Sequence, residues 1–175
     1  IYKGVIDISG SKTWNDADNQ DGIRPASITV KLFANGTEAA SQVVTPDEAG
    51  NWNYVFKNLP QYDAKGKITY TVTESAVAGY ETSVSGYNIT NTHKPATISI
   101  TGTKTWKDAD NQDGKRPESI TVNLFADGTK LKSQSVSADA DGNWSYSFTD
   151  LPKYANGQEI TYTVTEDAVD GYTTE

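Results

Sequence analysis

The chain repeats itself at one fixed offset. Lys12-Thr-Trp14 recurs 92 residues later as Lys104-Thr-Trp106, and Asp18-Asn-Gln-Asp-Gly22 recurs as Asp110-Asn-Gln-Asp-Gly114. The same shift carries Arg24-Pro25 onto Arg116-Pro117, Gly50-Asn-Trp52 onto Gly142-Asn-Trp144, and Tyr70-Thr-Val-Thr-Glu74 onto Tyr162-Thr-Val-Thr-Glu166, with no insertion or deletion between anchors. A unit of this size buries its own core and is too long for a solenoid repeat. The 175 residues therefore predict two beads on a string, residues 1–94 and 95–175, meeting near Thr92-His-Lys-Pro95. Pro95 restricts that junction, which reads as a short, stiff connector carrying His93, the only histidine, as an exposed linker residue.

Composition narrows the function classes. Cys and Met are absent, which rules out disulfides and thiolate metal sites. A formal charge of -8 with no basic stripe argues against nucleic acid as a partner. No apolar run reaches membrane-spanning length, so no membrane contact is expected of this stretch, and an export signal or anchor is expected outside it.

Period-two alternation marks the strands. Ile6, Ile8, Gly10, Lys12 and Trp14 share one face of the first strand. Ile28, Val30 and Leu32 share a face of the second, and Trp52, Tyr54 and Phe56 of a third. Ile68, Tyr70, Val72 and Glu74 follow, then Tyr87, Ile89 and Asn91. Turns such as Asn35-Gly36 and Asp141-Gly142 separate the strands, and no segment has a helical period. An all-β sandwich is the expected fold of each copy.

Lys12, Glu74 and Asn91 do not belong on an apolar face. Slipping the phase by one residue would turn every apolar neighbour outward with them. The second copy repeats the anomaly, placing Lys104 with Ile98, Ile100 and Trp106, and Glu166 with Ile160, Tyr162 and Val164. One reading is a buried Lys–Glu ion pair completed by an Asn, or strand ends whose long side chains snorkel to water. The other is covalent. Burial disfavours the charged form of either group. A neutral lysine amine is a nucleophile and the Asn amide an electrophile, with a protonated Glu bonding the amide carbonyl and shuttling the proton that releases ammonia. The product is an amide joining the first and last strands.

Other chemistry is poorly supported. Asp16-Ala-Asp-Asn-Gln-Asp-Gly22 has oxygens at alternating positions, but its Gly falls one place late and Ser27, or Ser119 in the second copy, occupies the place of a closing Glu. It reads as a structural turn, with no metal or other cofactor expected. The Trp residues read as packing rather than sugar platforms. A single histidine in the linker leaves no Ser–His–Asp set, so a turnover enzyme is not expected.

Together Lys-Thr-Trp, Asp-Asn-Gln-Asp-Gly-x-Arg-Pro, Ser-Ile-Thr-Val-x-Leu-Phe, Tyr-Thr-Val-Thr-Glu and Asn-Ile-Thr-Asn-Thr resemble the B-type repeat of collagen adhesins, the CnaB family. The resemblance covers essentially the whole chain in two copies. It implies a reverse immunoglobulin-like sandwich in stalks and pili of Gram-positive surface proteins, located outside the cell at the cell wall. It also implies a spontaneous Lys–Asn isopeptide bond, with the family's Lys falling on Lys12, its Asn on Asn91 and its acidic helper on Glu74. Asn88 is the nearby alternative acceptor, but its parity places it outward. In the second copy Lys104 and Glu166 are present, whereas the offset puts the Asn beyond Glu175, so this copy is expected to lack its last strand. That strand either follows in the parent protein or comes from another chain, in which case the copy is a strand-accepting element. The expected function is a stalk or spacer whose partners are neighbouring repeats, with a host matrix protein reached through a distal domain. The alternative is a repeat that itself binds matrix.

Overall fold

The computed structural model describes residues 4–175. The chain divides into two units, Ile1–Pro95 and Ala96–Glu175. The strands of the first are β1 (Val5–Asn15), β2 (Ile28–Ala34), β3 (Thr37–Val44), β4 (Trp52–Pro60), the short pair β5 (Tyr62–Asp63) and β6 (Gly66–Lys67), β7 (Tyr70–Glu74), β8 (Glu81–Ser85) and β9 (Asn88–Thr92). Those of the second are β10 (Thr97–Lys104), β11 (Ser119–Ala126), β12 (Thr129–Ser137), β13 (Trp144–Pro152), β14 (Tyr154–Ala155), β15 (Gln158–Glu159) and β16 (Tyr162–Glu166). The described elements are all strands.

The first unit is a two-layer sandwich. One sheet has the order β4-β1-β9-β8 and the other β3-β2-β7. Alternation decides which side chains meet between them: Val30 and Leu32 of β2 are wholly buried, and so is Ile89 of β9, with Trp52, Tyr54 and Phe56 of β4 nearly so. The β2–β3 hairpin closes at Asn35-Gly36, both at positive φ (48° and 83°), the two-residue turn whose twist matches that of the strands. The register of β1 against β4 shifts between Ile6 and Ile8. The extra residue lies on β4, where Asn58 takes a left-handed φ of 56° and its N–H donates to the Asp7 carboxylate at 2.8 Å. The two terminal strands lie side by side and run parallel, pairing Lys12 with Ile89 and Trp14 with Asn91.

The second unit keeps the three-stranded sheet β12-β11-β16 but has only β10-β13 opposite it. No described strand lies on the other edge of β10. The effect on packing is local. Val72 of β7 is 4% exposed, whereas its counterpart Val164 of β16, expected inward, is 38% exposed on the uncovered side.

Candidate functional site

Lys12 sits near the end of β1, Asn91 on the neighbouring β9, and Glu74 at the end of β7 in the facing sheet. The parity read from the sequence thus brings all three into one space between the layers. The Lys12 and Glu74 side chains have no exposed surface, and Asn91 is 0% exposed. One oxygen of Glu74 (Oε2) lies 2.9 Å from Lys12 Nζ. The other (Oε1) accepts from Asn91 Nδ2 at 2.6 Å and from Thr82 Oγ1 at 3.2 Å. The Lys12–Glu74 approach is at ion-pair distance but off hydrogen-bond geometry, and Asn91 Oδ1 has no hydrogen-bond partner among the described residues. Burial lowers the Lys12 pKa, against the opposing pull of the Glu74 contact. Asn88 does point outward: it is exposed, and its Oδ1 accepts from Ser11 N and Ser11 Oγ.

A second cluster walls the site. Trp14 lies with its ring centroid 4.1 Å from Lys12 Nζ and meets Trp52 and Tyr80 edge-on, at 5.3 and 5.0 Å. Beyond it the Asp-rich loop winds through three successive left-handed residues, Ala17 (φ 52°), Asp18 (55°) and Asn19 (59°). Such a run is costly for residues with a Cβ, so side chains must hold it. Asp16 does so, accepting from Asn19 N at 2.9 Å, and Asn19 Oδ1 in turn accepts from Arg24 N at 3.0 Å. The Asp16 carboxylate also takes both Arg24 Nη2 (2.6 Å) and Nε (3.1 Å), plus the Tyr80 hydroxyl at 2.7 Å. Burial works to raise the Asp16 carboxyl, but these donors prevail and hold it at about 2. The loop's leading carboxylate is therefore committed to protein partners.

Tyr80 was not singled out in the sequence. The signal was available: Asp16, Arg24 and Tyr80 recur at the repeat offset as Asp108, Arg116 and Tyr172, joined by the same bonds. His93 is a correction to the sequence reading. It is not a free linker residue, because Nε2 lies 2.8 Å from Asp21 Oδ2 and Nδ1 2.8 Å from the Gly79 carbonyl, with the ring 5.5 Å from Tyr80. Contacts to two loops of its own unit, invisible to strand periodicity, hold it there.

In the second unit Lys104 Nζ lies 3.0 and 3.2 Å from the two oxygens of Glu166, and Trp106 packs against Trp144 and Tyr172 as in the first. The Lys104 side chain is 16% exposed on the open side, and no described residue stands in the place of Asn91.

Comparisons with known proteins point to one family. The model of the Cna protein B-type domain matches residues 8–92 and 100–175. A collagen adhesin of Staphylococcus aureus is 47% identical over 168 residues, which are 95% of this chain and 14% of the adhesin's length. The crystal structure of two B repeat units of the S. aureus collagen-binding protein is 44% identical, covering 99% of this chain and 46% of that one, with a TM-score of 0.50. The structure of a single B repeat unit of the same protein is also 44% identical, covering 98% of this chain and 91% of that one, with a TM-score of 0.49.

Proposed function

The chain belongs to the Cna protein B-type domain family, and we propose that it is a stalk segment of a cell-surface adhesin whose first module is closed by an amide between Lys12 and Asn91. One observation carries the chemistry: in a fully buried site, a single carboxylate touches both the amine and the amide nitrogen. The pair first passes a proton from Nζ to Oε2, giving a neutral amine and a carboxylic acid. The amine attacks Asn91 Cγ, the acid protonates Nδ2, and the carboxylate so formed takes one of the two protons left on Nζ. The Nζ–Cγ bond forms, the Cγ–Nδ2 bond breaks and one ammonia leaves, with no change of oxidation state. Glu74 is thus a proton shuttle acting once, and the module is not a turnover enzyme. Lys104 and Glu166 would serve the same roles once an Asn-bearing strand covered β10.

The topology gives the bond a mechanical use. Because β1 and β9 run parallel, chain entering at Val5 and leaving after Thr92 loads their contact in shear. With Lys12 bonded to Asn91, tension crosses directly between the terminal strands and bypasses the sandwich. By analogy with a disulfide closing a long loop, the bond stabilises by about 4–5 kcal/mol. In this reading the partners are neighbouring repeats outside the cell, and a host matrix protein is met by a distal domain. Stretching single molecules of the chain tests it: the first module should give no full-length unfolding step, and a Glu74→Gln chain should give one. A full-length step in mature wild-type protein would refute the stalk mechanism.

A further inference from the structure

The bond needs Asn91 in one place, and the ladder that fixes it is short, helped by the Ser11 bonds to Asn88. β9 pairs with β1 over only Lys12–Asn15, and its other neighbour, β8, belongs to the same hairpin. Slipping β9 by two residues would keep its inward face but bring Ile89 or His93 to the amine. Slipping by one would turn Asn91 to solvent.

Tyr54 supplies a further tie. It stands on β4, directly across from Gly10 of β1, and β9 lies on the far side of β1. Two strand spacings, about 9.5 Å, separate β4 from β9, so no ordinary cross-strand pair connects them. Yet the Tyr54 hydroxyl donates to the Tyr87 carbonyl, at the entry to β9. It passes where Gly10 has no side chain: a Cβ there would lie 2.6 Å from the Tyr54 hydroxyl and would overlap the Tyr87 carbonyl oxygen. Burial raises the Tyr54 pKa to about 12, which keeps it a donor. Gly102 and Tyr146 pair in the same way in the second unit, where a Cβ on Gly102 would overlap the Tyr146 ring.

We propose that Tyr54, reaching through the notch at Gly10, is a register lock that sets the last strand so that Asn91 alone faces the Lys12 amine. Tyr54 is a positioning residue, since it touches neither reacting group, and its role in the chemistry rests on the cross-link reading above.

The test uses Tyr54→Phe in the full chain, which removes one oxygen and keeps the ring against Phe56. After refolding, ammonia loss followed by mass should be about five-fold slower than in wild type, the worth of one buried hydrogen bond. Amide hydrogen exchange is measured in parallel on Glu74→Gln chains before any bond has formed, as their mass shows. Adding Tyr54→Phe there should speed exchange of the β9 amides about five-fold and leave the β3-β2-β7 sheet unchanged. In Tyr54→Phe with Glu74 intact, β9 protection should return to wild type once the bond has formed. A packing role would loosen both sheets, and the bond would not restore it. Equal rates of ammonia loss, or unchanged β9 exchange, overturn the lock. A wild-type chain that never loses ammonia overturns the cross-link reading instead, and the exchange experiment still decides the lock.

Discussion

Glu74 meets Asn91 through the amide nitrogen, 2.6 Å from Oε1, while the Asn91 side-chain oxygen has no hydrogen-bond partner among the described residues. In the proposed reaction the carboxylate hands its proton to the leaving group, the shuttle role the sequence reading also gave Glu74. Glu74→Gln keeps the size and the hydrogen-bonding atoms but cannot relay a proton. It should fold and lose ammonia at least about 100-fold more slowly than wild type. Mass measured over time after refolding checks this, and wild-type kinetics would remove Glu74 from the mechanism.

The two modules should differ in stability within one chain. The first has a completed four-stranded sheet and the proposed bond, whereas in the second Val164 is 38% exposed where Val72 is 4%. Calorimetry of wild type should show two transitions, the upper one moving down in Glu74→Gln and the lower one unchanged. A single shared transition would contradict the assignment.

Asp16 should govern acid sensitivity of the first module. Its folded pKa of about 2 lies below the unfolded value, so its contribution is fully present above the ordinary carboxylate range and is lost as pH falls through about 2. The shift corresponds to about 2 kcal/mol at neutral pH. Asp16→Asn should lose about that amount in denaturant unfolding followed by tryptophan fluorescence, because Trp14 leans on Tyr80, which Asp16 holds.

His93 should respond at the opposite end. Both ring nitrogens face acceptors, so the doubly protonated ring satisfies Asp21 and Gly79 together. Asp21 raises its pKa, burial opposes, and the Gly79 carbonyl and nearby Asp16 add to the rise. The contribution is complete below the unfolded value near 6.5 and is lost as pH climbs through the higher folded pKa. Thermal unfolding of the first module should therefore weaken across that interval in wild type but not in His93→Gln, and identical profiles would exclude the tie.

Lys12, Glu74 and Asn91 were legible in the sequence because strand parity converts spacing directly into facing direction. Tyr80 and His93 were not, because their contacts depend on how loops fold back, including the left-handed run at Ala17–Asn19 that no periodicity encodes. Gly10 showed its inward parity, but the reach of Tyr54 across a whole strand needed three strands in their places. Val164 had the right phase and still lies exposed, since phase says which way a side chain points and not whether anything covers it.

The intact mass of the mature, folded chain tests the central claim most directly. The account predicts a mass one ammonia below that of the sequence, with fragmentation placing the loss in a branched peptide that joins Lys12 to Asn91. A mass equal to that of the sequence, or a branch at Asn88, would contradict it.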